Sequence, residues 1–109
     1  MLSFNNNFYI LEQINEIDEY FNKETYKNTI NFLYNEIKIN INKIHILNEI
    51  KKTYNILKDK YLFLLNLKYN YKKYLINILD DLLKNKINKL ADDIYDVLCL
   101  IEFIINKYI

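Results

Sequence analysis

The sequence predicts an all-α fold, a small antiparallel bundle of four or five helices, and three observations carry that expectation. The 109 residues include neither glycine nor proline. Apolar residues recur three and four apart along most of the chain, the spacing that lines one face of a helix. Asparagines sit where that spacing is interrupted, and asparagine both caps helices and tolerates left-handed backbone. Tight β-hairpins strongly prefer glycine in their turns, so helices joined by asparagine-rich connections are the easier solution.

The helices are expected at about 7–21, 24–41, 43–67, 70–85 and 88–107, after a loose lead-in over 1–6. In the first, Ile10, Ile14, Ile17 and Phe21 form the apolar stripe, with Glu12, Glu16, Asp18 and Glu19 on the other sides. Asn22 or Thr25 can cap the second helix. That helix carries Tyr26, Ile30, Leu33 and Ile37 on one face. Ile37 to Asn42 alternates apolar and polar residues, which is a strand pattern, but no second convincing strand is there to pair with it. The segment reads as a helix end and connection, with a short strand as the alternative.

In the third helix Ile44, Leu47, Ile50, Tyr54, Leu57, Tyr61 and Leu64 step by three or four. It contains Tyr61–Leu67, apolar on nearly every side, which is expected to be the buried centre of the protein. Residues 43–85 could also run on as one helix. The fourth helix places Tyr71, Leu75, Ile78 or Leu79, and Leu82 together, and Lys84–Asn88 reads as the next break. The last aligns Leu90, Ile94, Val97, Ile101, Ile104 and Tyr108, and its apolar end is expected to dock rather than fray.

A chain of this length is one domain with a modest core. Arginine and tryptophan are absent, while Ile, Asn, Leu, Lys and Tyr dominate, a bias that AT-rich codons would produce. The source is therefore expected to be an AT-rich genome, such as that of a virus or mobile element. The single cysteine, Cys99, excludes an intramolecular disulfide framework and suggests a reducing compartment. No signal peptide is recognised. Val97–Ile105, the longest apolar run, is interrupted by Glu102 and is too short to span a bilayer. A soluble, intracellular protein is the expectation.

Charge is uneven although the formal net is +1. Residues 1–37 hold six acids and two lysines, and residues 51–73 hold seven lysines and one acid. Acidic outer helices flanking a basic central pair would account for this by self-complementarity. The sharper alternative is an anionic partner on Lys51, Lys52, Lys58, Lys60, Lys68, Tyr69, Tyr71, Lys72, Lys73 and Tyr74. Lysines neutralise phosphates and tyrosines stack on unpaired bases. Against it, helical spacing spreads these lysines over more than one face, and arginine is unavailable for reading guanine edges. The tyrosines could equally pack at helix seams with their hydroxyls at the rim.

Few residue constellations suggest catalysis. Asp92-Asp93-Ile94-Tyr95-Asp96 resembles the magnesium-diphosphate motif of isoprenoid synthases, because carboxylates at this spacing on a helix can converge on a hard cation. No second aspartate-rich motif accompanies it. The alternative places these acids, and Asp80 and Asp81 likewise, in first helical turns, favoured by the helix dipole. His45 and Glu49 share a face but make two ligands at most. Cys99, between Leu98 and Leu100, reads as a small core residue. Without glycine there is no phosphate-binding loop and no dinucleotide fingerprint. The expectation is a non-enzymatic protein-interaction module with no cofactor and no metal. It would bind a protein partner or itself through an apolar helix face, motivated by Ile39, Ile46, Ile56 and Leu62 lying off the main stripes. The alternative is a non-sequence-specific single-stranded nucleic-acid binder using 51–73.

Overall fold

Asn22 decides where the first helix ends. In the computed structural model, which describes residues 4–39, 43–69 and 81–108, all but Phe21 and Asn22 are helical. The Asn22 side-chain Oδ1 accepts a hydrogen bond from the Thr25 backbone N–H at 2.9 Å, capping the next helix. Phe21, just before the cap, stacks on Tyr26 with ring centroids 5.1 Å apart. That pairing across the cap is a hydrophobic staple, which fixes the angle at which the chain enters the second helix.

The described residues form four helices: α1 (Phe4–Tyr20), α2 (Lys23–Ile39), α3 (Lys43–Tyr69) and α4 (Asp81–Tyr108). They pack on one another as an all-α bundle. Lys23 meets Asp96 and Tyr34 meets Lys107, so α2 runs parallel to α4. Tyr54 meets Glu102 and Tyr61 meets Tyr95, so α3 runs antiparallel to it. Asp18 reaches Lys86, which places the end of α1 beside the start of α4. The end of α1 and the start of α2 thus lie beside the first half of α4, on either side of the turn at Asn22. The molecule measures 54 × 22 × 19 Å.

The core follows the expected stripes on three helices. Ile10, Ile14, Ile17 and Phe21 are all buried, as are Ile30 and Ile37 of α2. On α4, Leu90, Ile94, Val97, Ile101 and Ile104 are buried, and Tyr108 is half-buried against them. Fully burying one such aliphatic side chain stabilises by about 1.5–3 kcal/mol, so these stripes dominate the fold.

Three expectations fail. The predicted break at Lys84–Asn88 does not exist; α4 runs through it without interruption. Ile87 is fully buried and continues the stripe into Leu90 and Ile94, so packing overrides the weak helix propensity of the asparagines. Residues 81–85, assigned to a separate helix over 70–85, therefore open α4, and 70–80 lie outside the described residues. Second, Tyr61–Leu67 is not surrounded: Leu64 and Leu67 are buried, but Leu62 is 51% exposed. The helix packed on several sides is α4, which touches the other three. Third, the phase of α3 is shifted at its start. Ile46, placed off the stripe, belongs to the core, and Ile44, placed on it, is 76% exposed.

Helix bounds differ more modestly elsewhere. α1 begins at Phe4, inside the stretch read as a lead-in. Residues 37–39 finish α2 as helix, and no strand occurs among the described residues.

Candidate interaction surfaces

The basic segment does not form one surface. Lys51, Lys58 and Tyr69 fall on a single stripe of α3, at spacings of seven and eleven residues. Lys51 is half-buried there, while Lys58 and Tyr69 are exposed. Lys52 is exposed too, but about 100° around the helix from that stripe. Lys60 is half-buried beside Tyr20, Phe21 and Tyr26, where the α1–α2 corner meets α3. Lys68 is half-buried near the end of α3. Tyr71, Lys72, Lys73 and Tyr74 lie outside the described residues.

The tyrosines of the α3–α4 seam seal it. Tyr54 Oη donates to Glu102 Oε1 at 2.6 Å, and this hydrogen bond to a carboxylate pushes the phenol above its ordinary pKa. Lys58 sits over the Tyr54 ring, 5.6 Å from its centroid. Tyr61 and Tyr95 rings lie 5.8 Å apart. The Cys99 thiol, one turn on from Tyr95, raises the Tyr95 pKa. Cys99 is thus exposed on the seam and not a core residue. Its apolar neighbours Leu98 and Leu100 point elsewhere, because adjacent residues on a helix face 100° apart.

Ion pairs join α1 and α2 to α4. Lys23 Nζ lies 2.6 Å from Asp96 Oδ2 and 3.8 Å from Asp93 Oδ1. Lys89 holds Asp93 from within α4 at 2.9 Å, and Lys86 reaches Asp18 at 3.2 Å. The hydrogen bond between Lys23 and Asp96 raises the lysine and lowers the aspartate relative to their ordinary pKa values. Among the described residues, these pairs leave the α3 lysines out. The pairing between helices is therefore carried by Lys23 and Lys86 instead, and Lys89 pairs within α4. Below the pairs opens a cleft of about 720 Å³, floored by Phe21 and Leu90 and edged by Asp18, Lys23, Lys86 and Asp93. Its lysines already face carboxylates, so it offers no surplus charge to an ionic ligand.

The aspartate string has the same explanation. Asp92, Asp93 and Asp96 sit in the middle of α4 and not in a first turn, so the helix dipole is not what favours them. Asp93 and Asp96 are bound by lysines, and Asp92 faces solvent. Among the described residues no group of three or more His, Cys, Asp or Glu could hold a metal ion. His45 and Glu49 are both exposed on the first turns of α3.

One surface is only partly legible in the sequence, through Ile39. The outer face of α2 carries Thr25, Asn28, Phe32, Asn35 and Ile39, all exposed and all uncharged. Their 3-4-3-4 spacing is that of a helix–helix seam. Phe32 is 62% exposed and Ile39 79%. The spacing is legible in the residues, but the asparagines hide it behind the stronger Ile30–Ile37 stripe. No helix among the described residues is long and apolar enough to cross a membrane. No family model, curated protein or solved structure matches this chain.

Proposed function

We propose that this chain is a non-enzymatic protein-interaction module, an adaptor or inhibitor that receives a helix of a partner or of a second copy on the outer face of α2. One observation carries the reading: α2 is apolar on two opposite sides. Ile30 and Ile37 fill the core, while Phe32 and Ile39, seven residues apart, face water on an uncharged stripe. A helix whose second stripe is uncharged over its whole length suits helix-on-helix docking, with the asparagines setting register. Partner identity is open to experiment, and an origin in an AT-rich viral or mobile-element genome remains part of the proposal.

A second copy can be tested without knowing any partner. Sedimentation equilibrium should show mass rising with concentration, and Phe32→Asp should abolish the rise. A strictly monomeric protein that binds no apolar dye would remove the reading.

The alternative proposal, single-stranded nucleic-acid binding, is favoured by Lys51, Lys58 and Tyr69 sharing one stripe outside the ion pairs. A labelled oligonucleotide should then bind at low salt and release as salt rises, and Lys51→Ala with Lys58→Ala should weaken it. Absence of binding at low salt would discard it.

A further inference from the structure

We infer that a second copy of this chain covers the outer face of α2, with the two α2 helices antiparallel about a two-fold axis near Phe32. The inference rests on the α2 seam proposed above and names its occupant and orientation.

The charges on that face select the occupant. Only two exposed side chains of α2 are charged, Glu24 in its first turn and Lys38 in its last. Its other charged residues are half-buried, and Lys23 and Lys27 lie toward Asp96 of α4. Glu24 and Lys38 are two heptads apart, so they stand on one flank of the uncharged stripe, separated by about 21 Å. Neither belongs to an ion pair of the described residues. Lys38 Nζ lies over the Tyr34 ring, 4.3 Å from its centroid, and Lys107 Nζ donates to Tyr34 Oη at 2.8 Å. The ring positions both ammoniums without neutralising them, which leaves this end of α2 open to an acid from outside the molecule.

A two-fold axis perpendicular to α2 supplies that acid. It keeps the same flank of both helices on one side and sets the start of one beside the end of the other. Glu24 then meets Lys38 of the second copy, and Lys38 meets Glu24 of the second copy. The same register seats the rest of the stripe. Phe32 falls against its own copy, Asn28 against Asn35 and Thr25 against Ile39, all within about one residue's rise of a common centre. Two aromatic rings pack at the axis, and side-chain amides, which both donate and accept, pair on either side of it. Glu36, on the other flank, comes no closer to its own copy than about 13 Å along the helix. A parallel pairing lacks this match, because it sets Glu24 opposite Thr29 and Glu36 opposite Asn31. The helix dipole favours an acid at the start and a base at the end of any helix, but it does not place both on one flank.

The test is sedimentation equilibrium of the full chain with two charge reversals. Glu24→Lys sets lysine against lysine at both ends of the pairing, and Lys38→Glu sets glutamate against glutamate. Each variant alone should self-associate roughly tenfold more weakly than the wild type at low salt, and added salt should strengthen its association. An equimolar mixture of the two should associate as the wild type does, because each then offers the other two opposite charges. Both side chains are exposed, so circular dichroism should show folded helix in every sample. If the dipole alone explains the two charges, each variant loses urea midpoint, mixing restores nothing, and the proposal falls. Association that depends on Phe32 but ignores both reversals would overturn the antiparallel pairing and leave the α2 face as a docking site. A monomeric wild type would overturn the second copy. Apolar dye binding that is lost in Phe32→Asp would then show that the face itself stands.

Discussion

Two isoleucines two residues apart give the sharpest check on how α3 is seated. Ile46 is 8% exposed and belongs to the core, whereas Ile44 faces solvent. Replacing isoleucine by alanine removes three carbons, worth about 0.8 kcal/mol each when they come out of an apolar interior. Ile46→Ala should thus cost about 2–3 kcal/mol, including a small cavity penalty, since the first turns of α3 can relax around the gap. Ile44 has little area to lose, and alanine is the better helix former by a few tenths. Ile44→Ala should therefore stay within about 0.5 kcal/mol of the wild type. Urea denaturation followed by far-ultraviolet circular dichroism reads the difference. With a slope of about 1–3 kcal/mol/M, the Ile46 variant should lose about 1–2 M in midpoint. Equal shifts, or a larger loss for Ile44, would refute the seating of α3.

Other perturbations test other joints. Asn22→Ala should cost about 1 kcal/mol by removing the α2 cap, while Asn22→Asp should retain most of the stability; matching losses in urea midpoint would dismiss the capping role. Leu57, fully buried on α3, should cost about 2–5 kcal/mol as Leu57→Ala, and a loss below that of Asn22→Ala would contradict its place in the core. The Lys23–Asp96 pair gives a pH dependence with a defined sign. Asp96, depressed below 3.8 by the Lys23 hydrogen bond, contributes above that value, and the contribution fades as pH falls through its lower folded pKa. Lys23, raised above 10.5 by Asp96, contributes below that value and loses it as pH climbs through its higher folded pKa. Asp96→Asn should flatten both limbs of the midpoint-against-pH curve, and superimposable curves would rule the pair out as a stabilising contact.

Where one apolar stripe stands alone on a helix, its period is enough to identify the core. Ile10, Ile14, Ile17 and Phe21 have no competitors on α1, and all four are buried. The start of α3 differs. Ile44, Ile46 and Leu47 crowd one turn, so a period of 3.6 accepts more than one phase, and contacts with neighbouring helices choose among them. The break expected at Lys84–Asn88 rests on propensity, a small term beside the burial of Ile87. For Cys99 the apolar sequence neighbours mislead, because helical azimuth decides its exposure. The splitting of the α3 lysines among faces follows directly from their spacing. The pairing of Lys23 with Asp96 does not, since residues 73 positions apart meet only once the helices have chosen neighbours. The second stripe of α2 is present in the residues, masked by asparagines whose abundance carries little information.

The corner at Asn22 has a consequence for how the molecule opens. Helices α2, α3 and α4 touch one another pairwise and close a triangle, whereas α1 is laid on as a continuation beyond the turn. The triangle can persist when α1 swings away, because no contact among α2, α3 and α4 passes through it. Amide exchange should therefore divide the chain at residue 22. The backbone of α1 should trade its hydrogens through a partial opening, and the middle of α4 should wait for the whole molecule to unfold. Uniform protection across residue 22 would instead show that Ile10, Ile14, Ile17 and Phe21, which share the core with the other helices, tie α1 into one unit of cooperativity.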